Sequence, residues 1–141
     1  MFVAMIELDK YDPNILPPLN SDQNQITGIR MTFRKATEAD LLQIVAMIAD
    51  DELGKQRENY QNPLPAEYRN AFTKISADEN QELMVVEDES HEIVGTLQLS
   101  FIQYLTYRGG IRAQIEAVRI RSDKRGQGFG KTMFEWAIAR A

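Results

Sequence analysis

A β-rich run, Ile111 to Ile120, leads through a short polar stretch into Arg125-Gly126-Gln127-Gly128-Phe129-Gly130-Lys131, and a helical pattern follows. A strand that must turn into a helix through three alternating glycines leaves few folds open. Glycine at alternate positions lets the backbone turn tightly and lets a large anion approach the main chain. The amides of such a loop converge on one point, and the positive end of the following helix adds to the attraction. Arg125 and Lys131 flank the loop with cations. The ligand this predicts is a phosphate or a pyrophosphate.

Two familiar anion loops fit poorly. A dinucleotide fingerprint requires G-x-G-x-x-G, but position 131 is Lys and the third glycine is Gly130. A P-loop requires G-x-x-x-x-G-K-[ST]. Gly130-Lys131-Thr132 matches its end, but Arg125 stands where the first glycine belongs. What remains is [QR]-x-x-G-x-[GA], met by Arg125, Gly128 and Gly130.

The chain has 141 residues, enough for one domain with a true core. It contains no cysteine, so disulfides and thiol chemistry are excluded. No His/Cys/Asp cluster has ligand spacing, so no metal is expected. No apolar run approaches a membrane span, and the first residues lack a secretory pattern, so the expectation is a cytoplasmic protein without a membrane partner. The net charge of −5 conceals an asymmetry. Residues 1–107 carry 8 Lys/Arg against 18 Asp/Glu (−10), and residues 108–141 carry 8 against 3 (+5). The acidic whole argues against nucleic-acid binding. The basic end surrounds the glycine loop, where an anion would sit.

Residues 1–30 stand apart as an extension or arm. Phe2–Leu8 reads as a short strand, followed by turn and linker chemistry at Asp12-Pro13, Pro17-Pro18 and Asn20 to Gln25. Either Met31 is the natural start and the first 30 residues are a gene-model extension, or they are a real arm that packs on the domain or on a partner. From Met31 onward, Thr32–Lys35 is a strand. Thr37 is an N-cap, with Asp40 as the acid of a capping box. Leu41, Leu42, Ile44, Val45, Met47 and Ile48 form a helical stripe, and Gly54 ends that helix or an extension of it. A loop covers 55–65 and a second helix Ala66–Ile75. Strands follow at Leu83–Val86, Ile93–Tyr104 and Ile111–Ile120. The last helix, from Lys131, buries Met133, Phe134, Ala137 and Ile138. Hairpin-length connections make the three strands antiparallel. The fold class is therefore α+β: a mixed, mostly antiparallel twisted sheet with helices on both faces.

Glycine loop, preceding strand and the opening Phe33-Arg34-Lys35-Ala36-Thr37-Glu38-Ala39-Asp40 come in the order that resembles the GNAT superfamily of acyl-CoA-dependent N-acetyltransferases. The resemblance runs from about Met31 to Ala141. Ile93-Val94-Gly95-Thr96-Leu97 and Ile115-Glu116-Ala117-Val118-Arg119-Ile120 look like the family's third and fourth strands. The resemblance implies transfer of an acetyl group from acetyl-CoA to a primary amine. It implies that Arg125, Gly126, Gln127, Gly128, Gly130 and Lys131 bind the cofactor's pyrophosphate. It also implies that the main chain of Val118 and Ile120 pairs with the pantetheine arm, which needs a bulge near Ala117 or Val118. Glu116 stands where many members carry a catalytic glutamate; strand alternation would put it on one face with Val118 and Ile120. The bland alternative is an acid balancing nearby arginines. His91, the lone histidine, reads as an exposed turn residue. The acidic group Asp50, Asp51, Glu52 and Glu58 reads as a solvated helix end, or as a lure for a cationic amine.

In the resembled family another strand, helix and hairpin follow the last helix, and they carry the second wall of the cofactor groove and a tyrosine acid. The sequence here stops before them. Three explanations are open: a truncated product, a partner that supplies the wall (a homodimer among the options, since an unpaired edge invites pairing), or the N-terminal arm folding back into the gap. The functional alternative to an enzyme is a degenerate domain that binds acyl-CoA or a protein without turnover.

Overall fold

In the computed structural model, residues 29–141 are described in full, together with the backbone of Ala4–Glu7. The turn and linker reading of residues 8–28 lies outside the described residues. The chain forms β1 (Ala4–Glu7), β2 (Thr32–Lys35), α1 (Leu41–Ile48), α2 (Glu52–Arg57), α3 (Ala66–Ala77), β3 (Gln81–Glu87), β4 (Ile93–Gln103), a one-turn α4 (Thr106–Gly109), β5 (Ile111–Ile120) and α5 (Phe129–Arg140). Short 3-10 turns at Glu38–Asp40 and Ser122–Lys124 lead into α1 and toward α5.

The strands form one sheet in the order β1-β5-β4-β3-β2, and every pairing is antiparallel. Helices cover both faces. On one side Ile44 and Met47 of α1 pack on Val85 and Ile93. On the other, Phe129, Met133 and Ala137 of α5 pack on Met84, Leu97, Leu99 and Ile115. Burial on both sides explains why β3 and β4 read as continuous apolar runs rather than alternating ones: Val85, Val86 and Val94 are all fully buried. Trp136 joins the second layer by stacking on Phe33, with centroids 4.3 Å apart.

Several local expectations are corrected. Gly54 does not end α1; it is buried inside α2, where an added Cβ would lie 2.2 Å from Ile48 O. Only a residue without a side chain lets α2 lie that close to the end of α1. The break comes earlier, at Asp51, whose Oδ1 accepts the Gly54 N–H at 2.5 Å and caps α2. The last helix begins at Phe129 rather than Lys131, because Phe129 is buried and pulls the first turn onto the sheet. Ile138 is 54 % exposed; Thr132 takes the buried place instead.

Asp40 is buried and its carboxylate is saturated. Oδ2 accepts from Arg34 Nη1 (2.7 Å), Thr37 N (2.7 Å) and Thr37 Oγ1 (3.0 Å), and Oδ1 accepts from Arg34 Nη2 (3.0 Å). The Arg34 guanidinium, foremost among these, holds the Asp40 carboxyl below the usual carboxylate range. A depressed folded-state pKa contributes stability that is present above the unfolded value and lost as pH falls through the folded one. Asp40→Asn is expected to cost about 1–2 kcal/mol at neutral pH, since it takes from a partly buried arginine one of its two carboxylate partners, Glu87 remaining at 2.6 Å. The difference from wild type should shrink below about pH 4, where the unfolded aspartate begins to protonate. Thermal melts of both proteins across that range check this; a difference independent of pH would contradict it.

Candidate active site

β5 carries the site because its two edges are treated differently. One edge pairs with β4 along its length. The other pairs with β1 only from Arg112 to Ile115. This is where the fold-back reading of the arm put Phe2–Leu8: Ala4–Glu7 lies in the sheet beside β5. Beyond Ile115 the described part of β1 gives β5 no neighbour on that side.

Between the two halves of β5 sits a bulge. Thr96 faces Arg119 and Gln98 faces Glu116, so Ala117 and Val118 together stand opposite Leu97. Ala117 has φ +50, a left-handed conformation that costs a non-glycine residue some strain and bends the strand. The bulge expected from the resemblance is therefore present. It also overturns one reading: the extra residue resets the alternation, so Glu116, Val118 and Ile120 do not share a face. Glu116 lies across from Gln98, on the α1 side, whereas Val118 and Ile120 pack against the core beneath α5.

Past the bulge, Arg121 N–H donates to Val94 O across the β4–β5 pairing at 2.8 Å. By alternation the N–H and C=O groups of Val118 and Ile120 point to the opposite, open edge. There Val118, Ile120, Arg119, Arg125, Gly130, Phe134 and Asp51 line a groove of about 450 Å³. Arg125, Val118, Ile120 and Gly130, four of the residues read from the sequence as cofactor-binding, thus meet in one place. Gly126, Gln127, Gly128 and Lys131 continue the same loop but do not line the groove. Glu116 lies before the bulge and does not line it either.

The loop has the geometry its glycines require. Gly126 (φ +76) and Gly128 (φ +91) are left-handed, and Gly128 is the N-cap of α5. Among the described residues, no atom outside its chain neighbours lies within 4 Å of where a Gly126 Cβ would be. Gln127 Nε2 donates to Asp123 O at 3.3 Å and steadies the turn. Lys131 is exposed and pairs with Glu135 at 3.7 Å.

Glu116 is half-buried, and Gln114 Nε2 donates to its Oε1 at 2.5 Å. Gln114 was not singled out from the sequence. Its signal was there, since residues two apart on a strand share a face. Arg119 lines the groove, and its Nε is buried with no hydrogen-bond partner. His91 is an exposed turn residue, 3.8 Å from Glu87. Tyr104 and Tyr107 sit at the β4–β5 tip, the end of β5 far from the glycine loop. Among the described residues no group of three or more His, Cys, Asp or Glu is placed to hold a metal, and no helix is long and apolar enough to cross a membrane.

A bulged strand running into a glycine-rich helix N-terminus, within an antiparallel sheet covered by helices on both faces, is the architecture of the GNAT acetyltransferase fold. The Acetyltransferase (GNAT) family model matches residues 45–141, and the chain belongs to that family. A transcriptional regulator from Bacillus halodurans C-125 is 53% identical, with a TM-score of 0.74 over 79% of this chain and 73% of that one. Glucosamine-6-phosphate N-acetyltransferase from Arabidopsis thaliana is 20% identical, with a TM-score of 0.55 over 77% and 71%. A predicted acetyltransferase from Clostridium acetobutylicum, solved with acetyl-CoA, is 21% identical, with a TM-score of 0.56 over 79% and 73%. The last two share the fold. No curated protein matches the chain.

Proposed function

We propose that this chain transfers an acetyl group from acetyl-CoA to a primary amine of a small molecule or a protein. The observation that carries the proposal is the coincidence of bulge, open edge and glycine loop on one strand–helix unit. Acetyl-CoA supplies the activated thioester when bound. The amides of Gly126, Gln127, Gly128, Gly130 and Lys131 would hold its pyrophosphate at the N-terminus of α5, with Arg125 adding charge. The backbone of Val118 and Ile120 would pair with the pantetheine arm as an added strand. A backbone donor at the bulge would polarise the thioester carbonyl.

An amine is protonated at neutral pH and must lose a proton before it attacks. Glu116 is the residue assigned to take it, directly or through a water, and Gln114 fixes the carboxylate by its hydrogen bond. Glu116 and the groove lie on the two sides of the bulge, so amine and thioester would approach β5 from its two faces and meet where the strand bends.

The test is acetyl-CoA binding by calorimetry, paired with amine-dependent release of free CoA thiol over a panel of polyamines, amino sugars and peptides. Binding with Kd on the order of micromolar and thiol release with at least one amine is the expected result. The name of the Bacillus halodurans relative favours a second reading, an acyl-CoA-responsive regulator without turnover. Tight binding with no thiol release from any amine would favour it. No binding at all would end both.

A further inference from the structure

Two arginines close the open edge of β5, and each is held by an aspartate from the α1–α2 corner. Arg125 Nε donates to Ile120 O at 3.2 Å, and its Nη2 pairs with Asp50 Oδ2 at 3.1 Å. Arg119 Nη1 donates to Val118 O at 2.9 Å, and its Nη2 pairs with Asp51 Oδ2 at 3.1 Å. The two chains of contacts are parallel. Each runs from a carboxylate, through a guanidinium, to one of the two carbonyls assigned above to the cofactor arm. Asp51, Arg119, Arg125, Val118 and Ile120 are all walls of the same groove.

We infer that Asp50 and Asp51 are stand-in anions, and that Arg119 and Arg125 form a latch which the cofactor's phosphates release. The inference rests on the acetyl-CoA reading above. A guanidinium binds carboxylate and phosphate oxygens through the same fork of donors, so an arriving phosphate can replace the aspartate without leaving the arginine unpaired. At Arg119 the aspartate side of the latch is the fixed one. Asp51 Oδ1 is committed to the Gly54 N–H, which ties the carboxylate to α2. The arginines are the longer side chains, and their rotatable stems can carry the guanidinium from one anion to another. When they swing to a phosphate they vacate the carbonyls of Val118 and Ile120, and those acceptors become available to the pantetheine amides. Cofactor capture and opening of the edge are then one event. Between turnovers the same arms keep the bare strand edge from pairing with another chain. Arg119 becomes an additional phosphate ligand by this assignment, and its unpartnered Nε is a spare donor for that role.

The sign of the effect distinguishes a latch from ordinary surface ion pairs. Asp50→Asn and Asp51→Asn remove the competing charge but keep side-chain size, and asparagine still caps α2 at position 51. Each variant is expected to bind acetyl-CoA, and inorganic pyrophosphate as the minimal probe, roughly three- to tenfold more tightly than wild type, in line with the release of one partly exposed ion pair and one like charge. The gain should diminish as salt is raised. Glu52→Gln serves as the control: Glu52 is exposed, pairs with Lys55 at 3.4 Å, and should leave affinity unchanged. Binding by the Asn variants where wild type binds weakly or not at all supports the latch. Wild-type binding with equal or weaker affinity in the variants overturns it, as does an equal gain in Glu52→Gln, which would mean only a general charge effect. If neither wild type nor any variant binds either probe, the acetyl-CoA reading itself falls, and the latch with it.

Discussion

Glu116→Gln is expected to lower the turnover number for amine acetylation by roughly 10²- to 10⁴-fold, the range over which a positioned general base acts. The affinity for acetyl-CoA should stay the same, because Glu116 lies before the bulge and off the groove wall. Glutamine keeps the size of the side chain and can still accept from Gln114 Nε2, so the strand should not rearrange. The pair of measurements is calorimetric Kd and single-turnover rate. An unchanged rate would remove Glu116 as the base. A parallel loss of binding would recast it as a residue that shapes the bulge. Gln114→Ala offers a graded companion: it leaves the base in place but frees its carboxylate, and the loss should be smaller and confined to turnover.

Gly128→Val is the second large effect, and it acts on binding. At φ +91 a β-branched residue is strained whatever space surrounds it. There is room for the side chain itself, since an added Cβ would first meet Ile29 Cδ1 at an ordinary 3.6 Å. The expected consequence is therefore a shifted loop more than a collapsed core. Acetyl-CoA affinity should fall by at least about a hundredfold, because the convergent amides at the start of α5 lose their common target. The melting temperature should fall by only a few degrees. Calorimetry beside a thermal melt separates the two. Retained affinity in a folded variant would mean that the loop amides do not hold the cofactor.

How much of this was legible in the sequence depended on the range of each interaction. The glycine spacing from Gly126 to Gly130 and the strand before it are contiguous, so the loop and its place at a helix start were readable. The β strands were readable because both faces of the sheet are covered, which left long apolar runs at Leu83–Val86 and Ile93–Leu97. Boundaries failed where one buried contact decided them. Phe129 starts α5 two residues early because its ring has a place in the core. Gly54 looks like a helix terminator, and only the 2.2 Å approach to Ile48 O shows that it is a packing glycine. The face of Glu116 was misread because alternation is a local rule and the bulge breaks it. The Asp50–Arg125 and Asp51–Arg119 pairs span some 70 residues of sequence and have no local pattern at all, so two residues read as a solvated helix end turned out to hold the groove's arginines.

The partnership of β1 with β5 sets the order in which the molecule can assemble. β1 is made well before β5 and must wait for it, because Ala4 pairs with Ile115. Closing a loop of roughly a hundred residues carries an entropic cost that local hairpins such as β3–β4 avoid, so that pairing should form late. During synthesis β5 therefore emerges beside β4 with its outer edge bare, and nascent chains are most prone to pair with one another in that interval. Past the bulge the same edge needs no such wait, because the carbonyls of Val118 and Ile120 are met by arginines from the same stretch of chain, Arg119 and Arg125.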